Sequence, residues 1–189
     1  FDSQQPCWRY KVYPDYKKGR KKMPEHLASM IEDFQDALFD MGVDSLTSES
    51  DEADDLIATL AIKVALRGQN VTIVSTDKGF LSLLNQHIHV YDYFNRRYLD
   101  ADYVKEKFDV KPEQLVELWS LTGDSTNKIP GVPGIGQITA AELINQYGST
   151  SSLLKAEDLK SSIKQKLMEH VDDLNMSKQL LTLKHDIPL

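Results

Sequence analysis

The sequence has only one cysteine, Cys7, among its 189 residues, and it contains no long apolar run. A single thiol cannot form an internal disulfide, which fits a protein of a reducing compartment such as the cytoplasm. The apolar stretch at residues 56–66 is interrupted by Thr59 and Lys63 and is shorter than the roughly 20 residues that a membrane span needs. We therefore expect no transmembrane or signal segment and no membrane partner.

The chain also lacks the marks of several enzyme classes. No glycine-rich nucleotide loop follows a strand pattern, no nucleophile and base form a recognisable pair, and the five histidines are scattered. A small-molecule enzyme built on an α/β sheet is therefore poorly supported. No initiator Met stands before Phe1, so we expect that an N-terminal segment precedes this sequence.

Positive charge is scarce overall, because the net charge is −7. By itself this argues against a nucleic-acid partner, since duplex binding depends on Lys and Arg residues that neutralise phosphates. The charges are unevenly distributed, however: residues 9–22 are strongly basic, whereas residues 32–55 contain many carboxylates and no Lys or Arg. One segment could attract phosphate while the other binds metal, or both could be ordinary solvated faces.

The hydrophobic pattern divides the chain near residue 100. Residues 101–189 show helical patterns only, with a Gly/Pro-rich loop at 122–134. We therefore predict an α/β part at residues 1–100 and an all-helical part at residues 101–189. Within the first part the patterns predict an irregular basic segment at 3–24, a helix from Pro24 to Gly42, a helix at 54–66, strands at 71–75 and 88–94, and a helical turn at 80–84 between the strands.

Three carboxylates, those of Glu52, Asp54 and Asp55, stand at the start of the helix predicted at residues 54–66. Acidic side chains in a first helical turn interact favourably with the helix dipole, so a well-capped helix is one interpretation. Carboxylates at positions i, i+2 and i+3 also spread around the turn, and those that face the sheet edge repel one another unless a cation lies between them. Hard oxygen ligands of this kind suit Mg²⁺, which retains several waters.

Asp77 directly follows the strand predicted at residues 71–75. In open α/β sheets the carboxyl ends of the strands form the ligand crevice, so Asp77 is predicted to lie beside Glu52 and its acidic neighbours. A helix N-cap is an equally good interpretation of Asp77 on local sequence alone.

The loop at residues 129–136 alternates proline and glycine between two helical patterns. Prolines fix the backbone, and glycines let it turn tightly and approach another molecule closely. Gly134 and Gly136 would open the next helix with free amide groups, which is a ready site for phosphate. An ordinary helix–helix turn is the alternative, but the length of the loop and its regularly spaced prolines and glycines favour the phosphate site.

Several motifs follow one another in the order typical of one family. With them the sequence resembles the bacterial 5′-nuclease and flap-endonuclease family, most closely its exonuclease IX branch, and is similar to the 5′-nuclease domain of DNA polymerase I. The motifs are Phe1-Asp2, Tyr16-Lys17-Lys18-Gly19-Arg20, Glu52-Ala53-Asp54-Asp55, Ser75-Thr76-Asp77-Lys78-Gly79, Tyr91-Asp92-Tyr93-Phe94, Gly123-Asp124 and Pro130-Gly131-Val132-Pro133-Gly134-Ile135-Gly136.

The resemblance implies an α/β fold with a three-layer sheet core of the PIN and 5′-nuclease type, followed by an all-helical part with a helix-three-turn-helix, or helix-hairpin-helix-type, DNA-binding motif. It implies a bacterial nuclease that binds flapped, branched or 5′-ended duplex DNA by structure and hydrolyses phosphodiesters with Mg²⁺, or with Mn²⁺ as a substitute. We expect a monomer. Asp54 would act in catalysis through the metal, with Lys17 and Arg20 steering the phosphate. The metal ligands implied are Asp2, Glu52, Asp54, Asp55, Asp77 and Asp124.

The same resemblance implies a K⁺ ion at the hairpin, bridging protein and phosphate through main-chain carbonyls. The basic stretch from Arg9 to Lys22 would border an arch beside which a 5′ single strand passes. The carbonyls implied are those of Leu121, Thr122, Pro130, Val132 and Ile135. The DNA-binding residues implied are Gly134, Ile135, Gly136, Gln137, Ile138 and Thr139, together with Lys17, Lys18 and Arg20.

Two positions depart from the family pattern. Gly79 and Asn127 stand where relatives carry metal-binding aspartates, so the second metal site is depleted. Because two-metal catalysis uses both ions, the alternative is a DNA-structure-binding protein with weakened or lost activity. Gln137 and Ile138 also stand where relatives often carry Lys, so the hairpin would depend on its amides and on K⁺.

Overall fold

The computed structural model describes residues 1–2 and 5–188 and begins with an α/β part. Its sheet is mixed: β1 (Val71–Val74) pairs in parallel with β2 (Ile88–Asp92), and β2 pairs in antiparallel with β3 (Arg97–Leu99). The predicted order of an α/β part followed by helices is confirmed. The helices before β2 are α1 (Trp8–Val12), α2 (Glu25–Ala28), α3 (Ile31–Asp40), α4 (Ala53–Leu66) and a 3-10 helix at Lys78–Leu83.

The second part is helical throughout the residues that the structure describes, apart from one isolated bridge between Asp124 and Ile129. The long loop between α6 and α7 connects the two helices of the predicted hairpin motif. The helices are α5 (Ala101–Phe108), a 3-10 helix at Pro112–Gln114, α6 (Leu115–Thr122), α7 (Gln137–Tyr147), α8 (Thr150–Lys155), α9 (Ser161–Glu169) and α10 (Val171–Leu181).

The larger of the two hydrophobic cores formed by the described residues runs through both parts. Alternation along the strands buries Ile73, Val90 and Leu99 on one face of the sheet, and this face continues into the helical core around Leu118 and Leu174. The opposite face is largely exposed in the part of the chain that the structure describes. The shared core holds the α/β part and the helices in a fixed relation, and the predicted division near residue 100 stays a prediction.

The prediction of a single helix from Pro24 to Gly42 was wrong. α2 and α3 are separated at Ser29, whose hydroxyl donates to the carbonyl of His26 (3.1 Å). A serine that bonds nearby backbone in this way offers the chain an alternative to the helix. The apolar stripe that produced the prediction is not a core face, since Phe34 is 53% and Met41 78% exposed.

Two short elements were missed by the sequence patterns. Residues 8–12 form α1, although residues 3–24 were predicted to be irregular; Ser3 and Gln4 lie outside the described residues. β3 follows a turn at residues 93–96. Elements of five and three residues are too short to show a periodic pattern, so tertiary contacts determine them.

The longest helix, α4, has 14 residues. Within the described ranges, therefore, none of the helices is both long enough and apolar enough to cross a membrane.

Candidate metal and DNA-binding site

A cleft of about 570 Å³ is lined by the start of α4, the segment after β1, the loop after α6 and the end of α10. Four of the six acidic residues predicted as metal ligands line it: Glu52, Asp54, Asp77 and Asp124. These residues come from distant positions in the chain. The shared core of the two parts therefore brings Asp124 of the helical part to the acidic residues of the α/β part.

Local hydrogen bonds orient two of the acidic side chains. Asp77 Oδ1 accepts from the amide of Gly79 (2.7 Å) and so starts the 3-10 helix that follows β1. Asp124 Oδ1 accepts from the amide of Thr126 (2.9 Å), and its Oδ2 accepts from the side-chain amide of Asn127 (2.6 Å). Asp77 is thus both an N-cap and a residue of the cleft, so the two interpretations of its sequence are compatible.

Asp54 differs from the other acidic residues because its charge is left without a hydrogen-bonding partner. Across residues 1–2 and 5–188, no group donates a hydrogen bond to its carboxylate. Burial, followed by the negative charges of Asp77 and Glu52, raises the pKa of Asp54 to about 6, against only a partial opposing effect of Lys17. A cation in the cleft would remove this electrostatic cost.

Glu52 is held from three sides. Its Oε2 accepts from Arg9 Nη1 (2.8 Å) and from the hydroxyl of Tyr16 (3.1 Å), and its Oε1 pairs with Lys17 Nζ. Burial and the charge of Glu52 raise the pKa of Tyr16, which therefore remains a donor. Glu52 is consequently fixed in orientation, in contrast to Asp54.

Asp55, predicted to be a metal ligand, lies beneath the cleft and is 0% exposed. Its Oδ1 accepts from Arg9 Nη2 (2.8 Å) and from the amide of Lys184 (2.9 Å), while its Oδ2 accepts from Arg9 Nη1 (2.7 Å) and from Trp8 Nε1 (3.1 Å). A carboxylate has about four acceptor sites, and all are used here. The geometry therefore assigns Asp55 to the framework and leaves it no oxygen for a metal ion.

Asp2 lies at the start of α4. Its Oδ1 accepts from the amide of Ala53 (2.8 Å), one of the amides without a partner in the first turn of that helix. Its charge also contributes to the raised pKa of Asp54. Asp2 therefore helps to place the acidic motif and is close enough to influence it electrostatically.

The basic residues fall into two groups. Lys17 pairs with Glu52, which lines the cleft. Lys18 instead pairs with Asp15 on the surface (2.8 Å), and Arg20 is exposed. Arg9 was expected to border an arch for a single strand, but it is 2% exposed and bound to Asp55 and Glu52. That expectation was wrong for Arg9, because the carboxylates beneath the cleft neutralise it.

The donor chemistry of the cleft fits Mg²⁺ when the ion keeps most of its water. Within the described parts of the chain, no three Asp, Glu, His or Cys side chains converge tightly enough to enclose one ion. Mg²⁺ commonly uses only one or two carboxylates and retains several waters. Asp54, whose carboxylate accepts no hydrogen bond among the described residues, and Asp77, Glu52 and Asp124 are the residues that could hold such an ion, directly or through water.

The loop between α6 and α7 is held by a close contact between two backbone segments. Gly123 has a φ of +75°, and a Cβ added to it would lie 2.6 Å from the amide nitrogen of Gly131. A Cβ added to Gly131 would lie 2.4 Å from the carbonyl carbon of Thr122. Glycine is therefore required at both positions so that the segment carrying Asp124 can pack on the hairpin.

Replacing Gly131 by Ala is expected to destabilise the protein by about 2 kcal/mol or more, because the two backbone segments must separate. Gly136→Ala is the matched control: a Cβ there meets nothing within 4 Å and its φ is −86°. We expect the control to cost less than about 1 kcal/mol, the loss of a preferred helix cap. Urea denaturation of the two variants measures the difference, and equal losses of stability would contradict the close-contact argument.

The predicted K⁺ carbonyls already take part in the fold of the loop. The oxygen of Leu121 accepts from the amide of Val132 (2.8 Å), that of Pro130 from Ser177 Oγ (2.6 Å), and that of Val132 from the amide of Ile135 (3.0 Å). Each carbonyl oxygen has a second lone pair, so these bonds do not prevent ion binding. The K⁺ site, which also includes Thr122, stays a prediction.

The predicted phosphate-binding residues lie at the start of α7. Gly134 has a φ of +76°, Gly136 is the N-cap of the helix, and Ile138 is exposed. Gln137 donates to the carbonyl of Lys107 (3.0 Å), which anchors this end of the helix to α5. The role of these residues and of Ile135 and Thr139 in binding phosphate stays a prediction.

Sequence reasoning missed the roles of four residues that shape the site. Trp8 and Lys184 hold Asp55, and Arg9 holds both Asp55 and Glu52. Lys166 of α9 lies beside the hairpin, with its Nζ 3.3 Å from the carbonyl oxygen of Gly134. Lys184 is 129 residues from Asp55, so no local pattern could have indicated the contact.

Comparison with known families matches the whole chain. Residues 1–109 match the family model of the 5′-3′ exonuclease N-terminal resolvase-like domain, and residues 110–189 match that of the 5′-3′ exonuclease C-terminal SAM fold. The first model ends at residue 109 and the second begins at residue 110.

Relatives of known name are similar over the same region. The chain is 64% identical over 189 residues to the flap endonuclease Xni of Colwellia psychrerythraea. The match covers 100% of this chain and 65% of that protein. It is 50% identical over 182 residues to the flap endonuclease Xni of Photobacterium profundum, covering 96% of the chain and 70% of that protein.

Among solved structures, the T5 5′-exonuclease with bound divalent metal ions (zinc) has a similar fold. The TM-score is 0.78 at 24% identity, and the match covers 96% of this chain and 72% of the T5 chain. This likeness supports the architecture of an α/β part followed by helices.

Proposed function

Because this chain belongs to the 5′-3′ exonuclease family, we propose that it is the greater part of a Mg²⁺-dependent 5′-nuclease that cleaves flapped or branched DNA. The observation that carries the proposal is Asp54. Its carboxylate has no hydrogen-bond donor among the residues described, and it lies in one cleft with Glu52, Asp77 and Asp124. The similar proteins named flap endonuclease support flapped DNA as the proposed substrate.

In this proposal Asp54 holds Mg²⁺, with Glu52, Asp77 and Asp124 as further ligands directly or through water. The bound ion would supply Lewis-acid stabilisation of the phosphate and an activated water. Lys17 and Arg20 bind and orient the phosphate that enters the cleft. Lys17 can exchange its pairing with Glu52 for a phosphate oxygen, because its side chain contacts Glu52, which lines the cleft.

The loop between α6 and α7 would bind the duplex next to the cleft. Amides at Gly134 and Gly136 and the start of α7 suit a phosphate, and a K⁺ ion on the carbonyls would strengthen the contact. Contacts of this kind position a duplex without reading its bases. We therefore propose recognition of DNA structure by a monomer, with no sequence preference.

The test uses the full-length protein and a duplex with a labelled 5′ flap. Cleavage near the junction in Mg²⁺ is expected, and much slower cleavage of the same duplex without the flap. EDTA should stop the reaction. Equal rates on both duplexes would contradict structure-specific cleavage, and an inactive full-length protein would overturn the enzyme proposal.

Gly79 and Asn127 favour a second candidate, a DNA-structure-binding protein with weak cleavage. Asn127 donates to Asp124 Oδ2 (2.6 Å), so its side chain orients Asp124 and supplies no carboxylate of its own for a second metal ion. Gly79 offers no side chain next to Asp77, where its added Cβ would lie 3.1 Å from Asp77 Oδ1. In this protein the second metal site would be incomplete, while the hairpin still binds DNA.

The double variant Gly79→Asp with Asn127→Asp is expected to cleave the flapped duplex at least about 10-fold faster, because it supplies two further carboxylates for the second ion. Single-turnover cleavage in Mg²⁺ measures the effect. Gly79→Asn is the control, since it adds a side chain of similar size without the charge. A double variant no faster than the control would show that the second site does not limit the rate.

A further inference from the structure

Arg9 is a buried cation whose N–H groups all donate hydrogen bonds. Its Nε donates to the carbonyl of Leu180 (2.8 Å), its Nη1 to Glu52 Oε2 (2.8 Å) and Asp55 Oδ2 (2.7 Å), and its Nη2 to Asp55 Oδ1 (2.8 Å) and the carbonyl of Thr182 (3.4 Å). An arginine side chain has five N–H groups, and each one has a partner here. Such a side chain cannot rotate without losing several bonds at once.

These partners belong to different parts of the protein. Glu52 and Asp55 lie at the start of α4, where the cleft is, while the carbonyls of Leu180 and Thr182 lie at the end of α10. Arg9 itself is in α1. The guanidinium therefore joins three helices directly beneath the acidic residues of the cleft.

The end of α10 also contacts the hairpin loop. One turn before Leu180, Ser177 Oγ donates to the carbonyl of Pro130 (2.6 Å), and Leu180 packs with Ile129, Tyr16 and Cys7 in a small second core. The same turn of α10 thus contacts the loop on one side and Arg9 on the other. A path of hydrogen bonds runs from Pro130 through α10 and Arg9 to Glu52.

We propose that Arg9 is a positioning residue that fixes the Glu52 carboxylate for metal binding and holds it in register with the hairpin loop through α10. This inference rests on the proposed metal-dependent function. Asp55 is the anchor of the arrangement: its bidentate pairing sets the plane of the guanidinium, and the remaining N–H of Nη1 then points to Glu52. Lysine cannot reproduce this fork, since its three N–H groups share one atom.

The experiment measures metal binding separately from cleavage. Mn²⁺ is titrated calorimetrically into the full-length protein without DNA, for the wild type and for Arg9→Lys. Residues that orient a metal ligand typically change metal affinity by 10- to 100-fold, so we expect Arg9→Lys to weaken Mn²⁺ binding about 10-fold or more. In the flap assay kcat should fall by a similar factor, with KM changed less than about 3-fold.

Leu174→Ala is the control for a general loss of stability. Leu174 is buried in the main core on α10 and lies outside the Arg9 contacts, so its truncation lowers the melting temperature without changing the donors to Glu52. We expect Mn²⁺ affinity within about 2-fold of the wild type for this variant. If Mn²⁺ affinity falls in proportion to the melting temperature in both Arg9→Lys and Leu174→Ala, the loss reflects stability alone and the proposal is overturned.

A second variant, Tyr16→Phe, covers the case in which Arg9→Lys does not fold. It removes one hydroxyl donor from the Glu52 oxygen that Arg9 also binds, and it keeps the buried ring. We expect a smaller loss of Mn²⁺ affinity, about 3-fold. Wild-type affinity in a folded Arg9→Lys protein, or in Tyr16→Phe when Arg9→Lys is unfolded, would overturn the positioning role. A wild type that binds Mn²⁺ but does not cleave flaps would instead count against the proposed nuclease function.

Discussion

Replacing Asp54 by Asn is expected to lower the rate of flap cleavage at least about 10³-fold, since a lost metal interaction of several kcal/mol corresponds to that factor. Asp54 is the acidic residue of the cleft with no hydrogen-bond donor among the described residues, so its oxygens are the most available to a metal ion. Asn preserves the size of the side chain but removes its charge. The affinity for flapped DNA in EDTA should stay close to that of the wild type, because the hairpin loop is unchanged.

The same substitution is expected to stabilise the metal-free protein. The pKa of Asp54 is raised from its ordinary 3.8 to about 6 by burial and by Asp77 and Glu52, so its ionised form is less favourable in the folded state than in the unfolded state. The cost is absent well below the ordinary pKa of 3.8, grows as the pH rises from there to the folded pKa of about 6, and is complete above it. This rise in the pKa of Asp54 corresponds to about 3 kcal/mol, which partial solvent exposure reduces to roughly 1–2 kcal/mol.

Thermal unfolding in EDTA at pH 8 and at pH 4 tests this part. Asp54→Asn should be more stable than the wild type at pH 8, and the difference should be much smaller at pH 4. Asp102→Asn is the control, an exposed acidic residue in the first turn of α5. An Asp54→Asn protein that cleaves flaps at the wild-type rate would remove the central residue of the proposed site.

The acidic cleft was predictable to the extent that it depends on local rules. Asp77 follows a strand, and the ends of strands meet at one edge of an α/β sheet, so its meeting with Glu52 and Asp54 followed from topology. The spacing of Glu52, Asp54 and Asp55 shows that the three side chains diverge, but not which of them points inward. The orientation of Asp55 depends on Arg9, which is 46 residues from it in sequence, and on Lys184, which is 129 residues from it.

The elements of the fold show the same limit. α4 and the strands β1 and β2 have clear apolar patterns and were predicted within a few residues. The stripe at residues 24–42 has an equally clear helical period, yet most of its apolar side chains are exposed and the helix is interrupted. Periodicity indicates a helix that has an apolar face, and the rest of the fold decides whether that face is buried.

The neighbour of Asp54 is expected to behave in the opposite way. Asp55→Asn should destabilise the protein by about 3–5 kcal/mol, because the buried guanidinium of Arg9 loses its principal counter-charge. The hydrogen bonds and charges of Asp55 and Glu52 outweigh burial and raise the pKa of Arg9, so Arg9 stays charged and cannot relieve the loss by deprotonation. In a chain of this size the melting temperature should fall by roughly 10 °C.

Urea denaturation in EDTA at pH 8 measures this difference, with Asp54→Asn as the matched variant at the adjacent position. The double variant Arg9→Met with Asp55→Leu identifies the cause. If the cost comes from an unpaired buried charge, removing both charges should recover part of the stability that Asp55→Asn loses, because apolar side chains of similar volume can replace a buried ion pair. A double variant less stable than Asp55→Asn would instead show that the hydrogen bonds to Trp8, Lys184 and the end of α10 hold this region together.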